Sequence, residues 1–207
     1  PHPQKNGASE PSLRQFTPKG MPFRGPRRLK GAQRIGNPGK PQGFDKNVQE
    51  VLVRKAFVRR AEDVAPVHRA GHPGYEFKKR VIVGKEDSDN FEVSIYEVPP
   101  GKSAVPYHYH LRNEEVFFIL SGTGLLKTPE GERTVSAGDF LYFPNNEAGA
   151  HKITNTSESE PLVYADFDIL HEPEIAFYPD SGKVGIFGMG HRLIFRQSET
   201  VDYYEGE

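Results

Sequence analysis

The chain has 207 residues and no cysteine, so one domain with a sizeable core fits, while thiolate metal sites, disulfides and cysteine nucleophiles are excluded. No stretch approaches the roughly 18 apolar residues of a membrane span, and no apolar leader precedes the body of the chain, so a cytoplasmic protein without membrane contact is expected. The net charge of −1 averages two unlike parts: residues 1–46 carry ten Lys or Arg against Glu10 and Asp45, and the rest carries 17 basic and 26 acidic side chains.

Residues 1–46 also hold eight Pro and seven Gly. That composition cannot bury enough apolar surface to offset the entropy of ordering, so a disordered basic extension is expected, with the folded domain over 47–207. A basic arm of this kind can touch nucleic acid or anionic lipid, or serve in organelle targeting. It lacks the amphipathic Arg/Ser pattern of a targeting segment, and no sequence-specific nucleic-acid motif accompanies it. A solvated tail, free to lie against the acidic domain, is the plainer reading.

Beyond residue 47 short apolar or alternating runs follow one another: VRKAFV, FKKRVIV, FEVSIYEV, EEVFFIL, ERTVSA, FLYFP, HKITN, LVYADFDI, KVGIFG and RLIFR. Turn signals separate them, among them Pro99-Pro100-Gly101, Pro129-Glu130-Gly131 and Pro144-Asn145-Asn146. Many short strands with closely spaced turns predict an all-β sandwich or barrel. Short helices are expected only over Val48–Arg60 and Glu172–Tyr178. Without αβ alternation a dinucleotide-binding fold is excluded, and the glycines of GTG and GIFGMG carry little weight as phosphate loops.

The stretch YHYHLRNEEVFFILSG, residues 107–122, concentrates the chemistry. Side chains alternate along a strand, so His108 and His110 share one face, with Tyr107 and Tyr109 opposite. Glu115 opens VFFIL, which reads as a further strand; with Glu115 inward, Phe117 and Ile119 follow it, and Val116, Phe118 and Leu120 face away. Two imidazoles and a carboxylate converging from neighbouring strands outline a metal site. In the later strand Tyr164, Asp166 and Asp168 share a face. An inward Asp166 could accept a proton or orient a ligating histidine, and a solvated acidic strand face is the plainer alternative. Isolated His2, His68, His72, His171 and His191 are assigned no role.

The run from Gly101 through His108, His110 and Glu115 to Gly122 resembles the first motif of the cupin superfamily. Gly138, Pro144, His151 and Asn155 resemble the second, with Asn146 in place of the usual glycine and two extra residues before His151. FYPDSGKVGIF and VDYYEGE look like segments of a largely uncharacterised one-barrel family. The resemblance implies a jelly-roll β-barrel in which His108, His110, Glu115 and His151 hold one divalent Fe, Mn, Ni, Cu or Zn ion, a donor set suited to such metals. Glu114 also satisfies the first gap of the motif, but only Glu115 leaves six residues before Gly122. A dication with one carboxylate leaves a site near +1, which favours an anionic or chelating oxygen ligand. The expected activity is that of a metal-dependent oxygenase, isomerase or lyase acting on a small polar or anionic metabolite. The alternative is a non-catalytic ligand-binding or sensor barrel. A homodimer is expected, with RLIF a candidate contact.

Overall fold

The computed structural model describes residues 54–207, and the basic arm lies outside the described residues. Thirteen strands make up the domain: β1 (Val67–His72), β2 (Tyr75–Val83), β3 (Phe91–Val98), β4 (Tyr109–His110), β5 (Glu115–Ser121), β6 (Thr123–Thr128), β7 (Gly131–Ser136), β8 (Phe140–Phe143), β9 (Lys152–Asn155), β10 (Leu162–Ile169), β11 (Glu174–Tyr178), β12 (Lys183–Gly188) and β13 (His191–Arg196). The expected all-β jelly roll is what forms, and its only helical pieces among the described residues are three single 3-10 turns. No helix among them is long and apolar enough to cross a membrane.

One wall of the barrel is a six-stranded sheet in the order β1-β2-β3-β10-β5-β8. The other combines β13-β12-β11-β4 with β7-β6-β9, joined where His108 and His151 exchange both backbone hydrogen bonds at 3.1 and 2.8 Å. The chain crosses between walls at Gly122, whose φ is +84° and where a Cβ would lie 2.5 Å from the Pro161 carbonyl oxygen. Only glycine fits there. The inner faces meet in a core of Tyr96, Val98, Phe117, Ile119, Leu126, Leu141, Phe143, Ile153, Leu162 and Tyr164. Asn155 is buried at the end of β9; its amide donates to the carbonyls of Val98 (2.9 Å) and Glu160 (2.8 Å), tying the β9–β10 loop to β3.

Two expectations fail. Residues 54–60 form neither helix nor strand; Arg54 and Arg59 instead pair with Asp89 (2.6 Å) and Asp87 (2.9 Å), holding the segment along the domain. The remainder of the expected Val48–Arg60 helix lies outside the described residues. Glu174–Tyr178 is strand β11, not helix, paired with β12 on one side and β4 on the other. Its buried Glu174 and Ala176 alternate with Ile175, a period of two that a five-residue run hides.

Candidate metal centre

Glu115 opens β5 in the six-stranded wall, while the three histidines come from the opposing wall. Glu115 is buried and points inward, as are Phe117 and Ile119 after it. Glu114 points away and accepts a hydrogen bond from the Tyr142 hydroxyl at 2.9 Å. Adjacent strand residues face opposite ways, so one glutamate enters and the other cannot. Phe143 is the inward member of its pair, and Tyr142 is 59% exposed.

The four side chains meet. His108 Nε2 lies 3.1 Å from His110 Nε2, and Glu115 Oε2 lies 3.3 Å from His110 Nε2 and 3.2 Å from His151 Nε2. His108 Nδ1–H donates to the Pro106 carbonyl (3.0 Å) and His151 Nδ1–H to the Gly149 carbonyl (2.9 Å). Each of these rings therefore turns a lone pair inward. His151 is held by stacking on Phe143, centroids 3.7 Å apart, and by the edge of Phe117. The result is acceptors facing acceptors: His151 Nε2 and Glu115 Oε2 are buried without a hydrogen-bond partner. Such a cluster is repulsive unless a cation sits among its members. Imidazole nitrogens and a carboxylate fit a divalent transition ion, and His108, His110 and Glu115 place one donor atom each within 4.8 Å of one another.

The electrostatics follow from the same geometry. Burial, reinforced by His151, pushes His108 down to about 3. Burial also opposes charge on His110, but the Glu115 and Glu174 carboxylates outweigh it and raise the ring to about 10. Burial works to raise Glu115, and the His110 and His151 partners overcome it, leaving the group well below the usual carboxylate range. A proton on His110 thus neutralises Glu115 when no metal is present.

Three acidic groups that motif reading left aside or open complete the site. Glu174, 3.5 Å from His110 Nδ1, accepts the backbone N–H groups of Leu111 (3.0 Å), Arg112 (3.4 Å) and Asn113 (2.8 Å). It fixes both the turn after His110 and the orientation of its ring, the role outer-sphere carboxylates play toward ligating histidines. A glutamate beginning a strand gives no sequence signal for this. Asp166 and Asp168 lie inward on β10, with Asp168 opposite Glu115 and Asp166 opposite Phe117. The reading of them as a solvated face is thereby overturned: both carry an unpartnered, buried carboxylate oxygen. Burial, together with the charge of Glu115, raises Asp166 well above its usual range and Asp168 to about 7.

The two-residue extension before His151 does not displace that histidine from the cluster. Asn146, standing where the motif usually has glycine, is extended (φ −159°), and its side chain caps the 3-10 turn Glu147–Gly149 by accepting from Ala148 N. Gly149 packs so close to Pro144 that a Cβ would lie 1.9 Å from its carbonyl oxygen. The longer loop is absorbed as this tight turn. A cleft of about 200 Å³ lined by His110, Asn113, Asp168, His171, Glu174 and Lys85 reaches the cluster, so His171, given no role above, stands on its wall.

Residues 94–169 match the model of the cupin domain family. No curated protein matches the chain. Among solved structures it is similar to a protein of Acidithiobacillus ferrooxidans named provisionally as a sugar phosphate isomerase, at 25% identity and TM-score 0.58 over 67% of this chain and 88% of that one. It is also similar to a sugar phosphate isomerase from a cupin superfamily of Silicibacter pomeroyi, at 18% identity and TM-score 0.59 over 67% and 92% of the two chains. A third similar structure is a polyketide cyclase of Streptomyces resistomycificus, at 22% identity and TM-score 0.50 over 58% and 84%. The motifs, the jelly roll and these matches agree: residues 94–169 are a cupin domain.

Proposed function

We propose that the chain is a metal-dependent enzyme of the isomerase or lyase type, holding one divalent transition ion on His108, His110, Glu115 and His151 and acting on a small polar metabolite. The observation that carries the reading is the cleft, whose wall presents one candidate ligand, His110, beside one carboxyl free of hydrogen-bond partners, Asp168. When bound, the ion supplies Lewis acidity toward a substrate oxygen. Asp168 then takes or returns a proton at its carboxylate, poised near neutrality by its burial and the neighbouring Glu115. Glu174 keeps His110 oriented, and the Phe117 and Phe143 rings exclude water behind His151. A fold supports many chemistries, so this residue pairing, more than the barrel, argues for proton transfer. The 25%-identical structure named as a sugar phosphate isomerase supports the reaction class.

The test combines metal analysis of protein purified without chelator or affinity metal with deuterium exchange from solvent into candidate metabolites, followed by NMR. About one equivalent of metal and exchange that falls at least a hundredfold in Asp168→Asn are expected. Metal-free protein, or full exchange in the variant, refutes the reading.

The same reading includes a homodimer. The outer face of the six-stranded sheet is apolar: Phe91, Leu120, Phe140, Tyr142, Phe167 and Ile169 are all more than 40% exposed. A fully buried aromatic side chain covers about 150–250 Å², and roughly half of that is still exposed at each of these residues, so the six supply on the order of half or more of the roughly 800 Å² per partner of a standard interface. In β13, Leu193, Ile194 and Phe195 are also exposed, and RLIF remains a second candidate contact.

A further inference from the structure

We infer that the cleft takes an uncharged polyhydroxylated ligand and rejects phosphorylated or carboxylated ones; the inference rests on the metal-dependent reading above and narrows its substrate class. The side chains on the cleft wall are unevenly charged. Asp168, Glu172 and Glu174 line it against a single lysine, Lys85. Lys85 is already engaged in an ion pair with Glu172. Behind the wall, Glu92 stands opposite Asp168 in the β3–β10 ladder, and Asp166 lies two residues along the same face. The one cation there, Lys79, is bound to Glu92 at 2.6 Å. Arg112, at the rim, donates to the carbonyls of Glu172 (3.0 Å) and Pro173 (3.1 Å). Among the described residues, then, the lysines at and behind the cleft wall are neutralised by carboxylates, and Arg112 is held on backbone carbonyls outside the cleft lining.

A dication together with Glu115 contributes about +1 at the floor, which by itself favours an anion. At short range that charge is opposed by Asp168, which carries a carboxylate oxygen without a partner, and by Glu174, whose cationic neighbour is the candidate ligand His110 itself. Anion sites elsewhere in proteins rely on arginine forks, clustered backbone N–H groups or helix N-termini. Here the backbone N–H groups of Leu111, Arg112 and Asn113 are already consumed by Glu174. What the wall offers is acceptors for hydroxyl donors, together with Asn113, whose carboxamide oxygen is tied to His171 N at 2.7 Å and whose amide nitrogen is left to donate. Carboxylate and amide side chains pairing with successive hydroxyls match a polyol or sugar. Protonation of Asp168 leaves the argument standing, since a neutral acid supplies a donor but no positive charge.

The experiment uses the full chain loaded with Mn(II) at low ionic strength and reads paramagnetic broadening of ligand proton signals by NMR. The probes are a panel of neutral pentoses and hexoses, their terminal phosphates, and citrate as a carboxylate chelator. At least one neutral sugar should be broadened at millimolar concentration, with its phosphate and citrate binding at least tenfold more weakly. Asp168→Asn should narrow that gap at least threefold, with Mn(II) stoichiometry unchanged. Equal or tighter binding of the phosphates or citrate overturns the inference, as does the failure of every neutral sugar or an unaltered gap in the variant. A chain that takes up no Mn(II) removes the metal reading and this inference together, whereas a loaded chain that prefers phosphate removes the inference alone.

Discussion

Replacing Glu174 with alanine tests the part of the site that motif spacing did not show. The residue is 5% exposed, so water cannot take over all its bonds. Of the three N–H groups it accepts, that of Leu111 keeps a second acceptor in the Ile175 carbonyl at 3.0 Å, and Arg112 is exposed to solvent. Asn113 N, in a residue 6% exposed, has its bond to Glu174 Oε2 at 2.8 Å and loses it. One buried orphan donor plus the lost charge-assisted bonds costs about 3 kcal/mol. For a domain of this size that corresponds to a fall in Tm of roughly 6–12 °C. His110, deprived of the carboxylate 3.5 Å from its Nδ1, should lose orientation and basicity, lowering metal affinity about 10- to 100-fold. Glu174→Gln keeps an oxygen for Asn113 N and should recover most of the stability but little of the affinity. Thermal unfolding of the metal-free protein and competition against a chelator measure the two effects. If the alanine variant melts within 1 °C of the parent and binds metal equally well, the assigned role of Glu174 is wrong.

Glu115→Ala should abolish metal binding measurable in the same competition assay while Glu114→Ala leaves it within about threefold, a range set by loss of one exposed contact; the reverse would mean that β5 is read in the wrong register. Because His110 is raised to about 10 in the metal-free site, a metal entering at pH 7 must displace a proton, so apparent affinity should rise nearly tenfold per pH unit from about 7 toward 10. A flat profile there, or calorimetric enthalpies independent of buffer ionisation, excludes that proton. His110 is raised above its unfolded value, so its contribution to stability is fully present below about 6.5 and fades as pH climbs through about 10; the metal-free protein should accordingly melt lower at pH 10 than at pH 7. Gly149→Ala forces a Cβ onto the Pro144 carbonyl, so a loss of about 3 kcal/mol or more and weaker metal binding through His151 are expected; a variant with parental stability would show that the turn yields.

Local sequence was sufficient wherever a property depends on alternation or on spacing within one motif. The strand runs, the inward register of Glu115, Phe117 and Ile119, and the pairing of His108 with His110 on one face all follow from the two-residue repeat of a β-strand. What tertiary structure decided are the relations between segments distant in the chain. Glu174 reaches Asn113 across 61 residues, and Asp168 becomes a partner of Glu115 only because β10 is inserted between β3 and β5. Burial of Asp166 and Asp168 likewise depends on which wall closes over them, and alternation alone distinguishes two faces without saying which is inside. The run Glu174–Tyr178 is too short for its period to separate strand from helix until β4 and β12 supply its hydrogen bonds. Even the charge of the cleft is a tertiary property: sequence composition counts lysines and glutamates, but ion pairing between Lys79 and Glu92 and between Lys85 and Glu172 determines which charges remain for a ligand.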